Sequence, residues 1–342
     1  MHSVVDLVAP TPLVKLDYPG LSRTYPMLKK FRHDPYFLFK YNVLSVVLLA
    51  PVSVGIFLTW SSWGEHPYGW GLLLCIAPLC LPSLWSILGS AVILVPVASA
   101  LGLVEFSMSS WWLIPLGALV GLQSAHLMHN AAHRNLRPLW LNRVVGEICG
   151  LQQLMGYPHW AVPHIIHHQF PDDPEKDPHP PETLDFLSFM GQMGQSMGRV
   201  VQNNFFDLWG GQKDAQAIWD WTRRTSMASR YARAMFLLVL LGPEAFVLGY
   251  MVSKIVNMVW YAHFNYATHR PAGNGETKIL NLDHNLYYRF MNATMAGAYY
   301  HKNHHAQASL ADPRKLNPIP AEPFISYRAE EVVPESEKPT GS

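Results

Sequence analysis

Histidine is the residue that could do chemistry here. Fourteen of the chain's 17 histidines fall in two windows, 126–179 and 263–305. Three segments carry the pattern: His129-Asn-Ala-Ala-His133, His164-Ile-Ile-His-His168 and His301-Lys-Asn-His-His305. Residues three or four apart on a helix share a face, with Cβ atoms about 5–6 Å apart, so each segment projects two or three imidazoles towards one point. Neutral imidazole ligates iron, copper, nickel and zinc. The eight rings His129, His133, His164, His167, His168, His301, His304 and His305 exceed what one tetrahedral zinc takes, which favours two ions. Asn265-Tyr-Ala-Thr-His269 adds an amide and a ninth imidazole on one face.

The remaining candidates are expected beside the metal. His126 lies on the face of His129 and His133, one turn deeper, where it packs against the ligands or orients them. Ligating histidines usually donate their other N–H to a carboxylate or carbonyl. Asp172, Asp173, Glu175 and Asp177 could each play that part or serve as turn and cap residues of a Pro-rich loop, and Asp177 is the preferred candidate. His159, His179, His263 and His284 read as ordinary packing or loop residues. Three Cys without a Cys-x-x-Cys pair point away from disulfides, thiolate zinc and iron-sulfur clusters.

The elements that must hold these rings read as membrane helices. Only 14% of the chain is charged, against roughly 25% in ordinary soluble domains. A net charge of +1 without a basic run gives nucleic acid no purchase. From Tyr41 to His133 there is no Lys or Arg, and the only acids are Glu65 and Glu105. Apolar runs at 37–60, 69–104 and 111–129 fit a bilayer core, which takes about 20 helical residues. The first and third can each cross once, and the second, broken near Pro82, is long enough for a short hairpin, whether or not it crosses twice. Cations flank this block on both sides, which by the positive-inside rule places those flanks in the cytoplasm. No signal peptide precedes it. A fourth apolar run, 234–261, suits either one crossing or a hairpin turning at Gly242-Pro243-Glu244, with Arg230 and Arg233 snorkelling at its cytoplasmic end. Lys254 within that run is a functional suspect, because ionisable groups at membrane depth commonly mark pathways, although it could also snorkel or pair with Glu244.

At this level the chain resembles the integral-membrane fatty acid desaturase superfamily, with its His-x-x-x-His, His-x-x-His-His and His-x-x-His-His boxes in that order. Gly156-Tyr157 and Trp160 before the second box, Asp177-Pro178 after it, Tyr300 before the third, and Asn265 with His269 strengthen the likeness. The resemblance implies an all-α integral membrane protein, with transmembrane helical hairpins capped by a cytoplasmic helical domain that carries a histidine-rich di-metal site. It selects the hairpin at Gly242. It divides the chain into a cytoplasmic N-terminal segment 1–36, membrane helices 37–130 ending in the first box, a cytoplasmic cap 131–230, a membrane hairpin 231–270, a cytoplasmic segment 271–318 and a disordered tail 319–342. N-terminus, boxes and C-terminus would all be cytoplasmic.

By the same resemblance, the nine histidines hold two Fe ions, Asn265 holds a metal-bound water, O2 is the co-substrate and a fatty acyl chain is desaturated by a protein seated in membrane lipid. No His-Pro-Gly-Gly haem segment is present, so electrons are expected from a separate ferredoxin, rubredoxin or cytochrome. The first box reads His-Asn-Ala-Ala-His where many relatives have His-Asp-x-x-His. Hydroxylation and decarboxylation to a terminal alkene, both known in the superfamily, remain open. A divalent-metal transporter or sensor is the alternative from another class, but transport places ligands along a mid-membrane pathway, whereas these boxes follow the apolar spans.

Overall fold

The computed structural model describes residues 25–59, 69–81, 83–102, 107–179, 185–273, 276–317 and 324–328. Helices come first: α1 (Pro26–His33), α2 (Phe37–Thr59), α3 (Gly69–Cys75), α4 (Leu84–Ala100), α5 (Leu113–Ala132), α6 (Leu141–Gln152), α7 (Tyr157–Gln169), α8 (Phe186–Trp209), α9 (Ala215–Ala245) and α10 (Val252–Thr268). Strands β1 (His269–Gly273) and β2 (Glu276–Ile279) follow, then α11 (Leu286–Thr294), α12 (His301–Ala306) and β3 (Phe324–Arg328).

Helices α2, α4 and α5 are inside out relative to a water-soluble protein. Asn42 and Ser53 of α2 are buried while Val47, Leu48 and Leu58 are exposed. On α4, Ser86 and Ser90 are buried and Trp85 and Val92 exposed; on α5, Ser124 is buried and Leu116 and Leu119 exposed. Water would reverse this sorting; hydrocarbon, in which polar groups must find partners inside the protein, produces it. Segments Phe37–Thr59 and Ala215–Thr268 are long and apolar enough to cross a membrane. Trp111 and Trp112 lie exposed just before α5, where an interfacial aromatic belt would sit.

Ala215–Thr268 does not run straight. Gly242 has φ +76° and ψ 163°, a left-handed backbone for which glycine carries no Cβ penalty, and a π-helical turn, Phe246–Met251, follows. Arg230, before the break, and Lys254, after it, line one cavity, so the two arms fold back on each other as a hairpin. The arms differ from expectation in detail. The first is continuous with the cap, since α9 begins at Ala215, and there is no boundary at 230. Arg233 does not snorkel: it is buried and donates to Ser45 Oγ (2.8 Å) and Tyr41 Oη (3.2 Å) of α2. Lys254 is bonded to the Gln153 carbonyl, and Glu244 is not its partner.

Run 69–104 also departs from a pair of crossing helices. Its first leg, α3, has 7 residues and reaches only about 10 Å; a 3₁₀ turn, Ala77–Cys80, leads to the 17-residue α4. The fold is mostly helical but not all-α. Strands β1, β2 and β3 form an antiparallel sheet in that order, pairing His269 with Ile279 and Glu276 with Arg328. Strand β3 lies in the tail expected to be disordered. On β2, Thr277 and Ile279 are buried and alternate with the half-buried Glu276 and Lys278, so one face turns inward; four residues are too few for period two to stand out among helical neighbours.

Glycine fixes how α5 and α10 cross. A Cβ at Gly117 or Gly121 of α5 would collide with the carbonyl oxygens of Gly249 and Ser253, so these small residues allow backbone-close packing. Across the crossing, Asn257 donates to the Gly121 carbonyl (3.1 Å), Ser124 donates to Gln152 Oε1 (2.8 Å), and the Gln152 amide donates to Ser253 Oγ (2.6 Å). This relay ties α5, α6 and α10 in one register. Helix α7 is buried on nearly every side, and Tyr157 anchors it to α5 by donating to the Ala131 carbonyl (2.7 Å).

Candidate metal centre

Four elements deliver the nine rings. His129 and His133 end α5, His164, His167 and His168 end α7, His269 closes α10, and His301, His304 and His305 occupy α12. The six-residue α12 is too short to hold itself. It is pinned by Asn303, whose backbone N–H donates to Asn281 Oδ1 (3.2 Å), whose side-chain carbonyl accepts from Asn281 Nδ2 (2.8 Å), and whose amide donates to the Pro313 carbonyl (3.0 Å).

The rings sort into two groups: His129, His133, His164, His168 and His304 in one, and His167, His269, His301 and His305 in the other, with the candidate ligand atoms of each within 4.8 Å of one another. His167 and His168, adjacent on α7, serve different groups. The groups share a wall, since His168 and His305 stack at 4.3 Å between centroids. Asn265 is buried near the end of α10, and its amide donates to the Tyr261 carbonyl (2.8 Å).

A cation fits this donor set. His133 and His164 Nε2 are 2.7 Å apart, His168 and His304 Nε2 3.1 Å, His269 and His301 Nε2 3.0 Å, and His301 and His305 Nε2 3.2 Å. Metal–nitrogen bonds of about 2.0–2.1 Å put ligand nitrogens at right angles about 3 Å apart. Shared protons would satisfy pairs of nitrogens but not sets of four and five, and the buried Nε2 atoms of His129 and His167 have no hydrogen-bond partner. Burial pushes the pKa of His133 down to about 3 and those of His164, His168, His301, His304 and His305 well below the usual imidazole range. Burial thus favours the neutral form of these six rings, whose lone pairs a metal could take.

Two carboxylates orient the second group. His167 Nδ1 donates to both oxygens of Asp177 (2.9 and 2.8 Å), and His269 Nδ1 donates to Asp172 Oδ1 (2.7 Å). Each turns its ring so that Nε2 faces the group. For His167, burial opposes protonation but Asp177 outweighs it and raises the pKa; for Asp172, burial is outweighed by His269 and the carboxyl is lowered. Ser326 of β3 donates to the second oxygen of Asp172.

Asp177, the preferred candidate among the four acids, contacts His167. Asp172 combines both roles open to it, being a turn residue with φ +65°, a region Asp tolerates, whose conformation aims its carboxylate at His269. The signal was the run of four acids after the second box, but choosing among them needs the loop's path. Ser326 gave no signal at all.

His126 joins neither group. It contacts Asn130 (3.1 Å) and lines a pocket with His129 and His304. His179 is buried beside Tyr261 Oη (3.3 Å) and His167, and His159 reaches Asn42 Oδ1 (2.7 Å); burial holds both pKa values down to about 3. His263 meets Tyr299 Oη (2.8 Å), and His284 packs on Tyr288. Trp160 stacks on His164 at 4.5 Å and Phe264 abuts His301 at 4.5 Å, walling the groups with aromatic surface.

The comparisons agree with this arrangement. The chain is 28% identical over 234 residues to dihydrorhizobitoxine desaturase of Bradyrhizobium elkanii, a match covering 57% of this chain and 64% of the relative. Less than two thirds of that relative's length is therefore spanned. No solved structure matches. The family model for fatty acid desaturase matches residues 109–314, which hold all nine clustered histidines and both orienting aspartates, and the chain belongs to that family.

Proposed function

We propose that the chain is a membrane-bound, O2-dependent di-iron oxidoreductase that desaturates a fatty acyl substrate, with electrons from a separate ferredoxin, rubredoxin or cytochrome. The observation that carries this reading is the sorting of nine imidazoles into two adjacent groups. When bound, a pair of iron ions supplies reductive O2 activation and the removal of hydrogen from an unactivated carbon. The chain's own residues hold, orient and dry the site. His129, His133, His164, His168 and His304 would hold one ion, and His167, His269, His301 and His305 the other. Asp177 and Asp172 fix two tautomers, His126 lines a pocket beside His129 and His304, and Asn265 lies buried one helical turn before His269. Trp160, Tyr261 and Phe264 keep bulk water from the rings, which strengthens every electrostatic contact inside.

Desaturation is favoured over hydroxylation or decarboxylation by the family match and by the relative's name. The three outcomes differ in which carbon lies nearest the oxidant, and a displacement of about 1 Å is enough to change a rate greatly. The inside-out helices support a multi-pass membrane protein, and the cation distribution supports a cytoplasmic face for the boxes.

Metal analysis of the purified chain is expected to find about two irons. His168→Ala and His305→Ala should each lose iron and abolish turnover while leaving membrane insertion intact; a variant with iron and turnover unchanged would remove that residue from the ligand set. Stoichiometric zinc with metal flux in vesicles would establish the transport reading instead. Mass spectrometry of lipids and volatile hydrocarbons from cells with and without the chain separates desaturation, hydroxylation and decarboxylation.

A further inference from the structure

Beside the histidine groups lies a cavity bounded by α8, the Gly242 hairpin and the start of α4. One end is formed by Trp160 and Tyr261, and Trp160 stacks on His164. Met190, Met193 and Met197, one face of α8, line its side with Met155 and Met258. Thioether side chains adapt to flexible apolar ligands. The lining also contains Arg230 and Lys254.

Those two cations are poorly explained by the protein alone. Arg230 donates to the Cys80 carbonyl (3.4 Å) and Lys254 to the Gln153 carbonyl. Among the described residues, no carboxylate lies within ion-pair distance of either, and no Asp or Glu lines the cavity. Beside them, the amide nitrogen of Gln153 is buried, lines the same cavity and has no acceptor. Two like charges and an unsatisfied donor around an apolar chamber are costly unless an anion completes them.

We propose that this cavity binds a substrate with a free carboxylate, held by Arg230, Lys254 and the Gln153 amide, with its apolar chain running along the Met face to Trp160 and Tyr261. This rests on the reading of the histidine groups as the oxidising centre. A guanidinium fork beside an ammonium suits a planar carboxylate. From Lys254, the level of Tyr261 to Phe264 lies about 10–15 Å along α10. An extended hydrocarbon advances about 1.25 Å per bond, so the carbon presented to the oxidant lies roughly 8–12 bonds from the carboxylate. Unesterified acids of that reach, rather than bulky thioesters, are the substrate class.

The test is equilibrium binding of radiolabelled decanoate to the iron-loaded protein in detergent, with 1-decanol, methyl decanoate and decyl phosphate as comparison ligands. Wild type should prefer decanoate to the alcohol and ester. Lys254→Met and Arg230→Met should each weaken decanoate about ten- to a hundredfold, the effect expected for a charged hydrogen bond, and leave 1-decanol unchanged. Lys254→Arg should restore decanoate binding, which a merely misfolded variant would not. Equal binding of acid and alcohol to wild type, unaltered decanoate affinity in Lys254→Met, or tighter binding of decyl phosphate than of decanoate would overturn the proposal. Iron content, measured on the same samples, reports separately on the oxidising centre: loss of the carboxylate preference with iron present defeats this inference alone, and absence of iron defeats the functional reading alone.

Discussion

His167 and His269 owe their orientation to Asp177 and Asp172, and orienting carboxylates of this kind are typically worth ten- to a hundredfold in metal affinity. Asp177→Asn is therefore expected to lower iron affinity by about that factor, seen as earlier iron loss in a chelator titration. Asp173→Asn, whose carboxylate accepts only from the local backbone of Glu175 and Lys176 and faces Lys176, should titrate like wild type. Equal chelator sensitivity in the two variants would remove Asp177 from the orienting role. The contrast is informative because the two acids sit in the same loop.

Among the elements, the crossing of α5 and α10 decides whether the first box and His269 meet. Gly121→Val would press a branched side chain into the Ser253 carbonyl, and overpacking of this kind costs about 1–3 kcal/mol; thermal unfolding in detergent should occur earlier, with iron lost in parallel. Gly55→Ala on α2, where a Cβ meets nothing within 4 Å, should instead stabilise by about 0.5–1 kcal/mol. If both variants melted alike, backbone-close packing would not be what holds the crossing.

These elements also show what was legible beforehand. The boxes could be read because helical spacing maps directly onto shared faces, whereas hydropathy suits a single crossing as well as a turn at Gly242-Pro243, and only the family resemblance selects the turn. The continuity of α9 across residue 230, the burial of Arg233 against Tyr41 and Ser45, and the three-stranded sheet could not be read. Each depends on a partner remote in sequence, and in a strand of 4 or 5 residues period two has too few turns to stand out. The same remoteness hid Ser326.

For the molecule as a whole, the polar-in, apolar-out sorting of α2, α4 and α5 and the hairpin at Gly242 imply that the turn and the third box lie at opposite ends of the membrane helices. In a background without the native cysteines, Leu241→Cys and Ser309→Cys, both at exposed positions, are expected to react with an impermeant maleimide from opposite sides of sealed vesicles. Labelling of both from one side would refute the two-armed arrangement.

Strand β3 carries a consequence for biosynthesis. Ser326 reaches the aspartate that steers His269, and β3 completes a sheet whose first residue is that histidine. A nascent chain therefore carries its first box long before translation supplies this brace, and a ribosome halted short of residue 324 would leave the aspartate beside His269 without its hydroxyl partner.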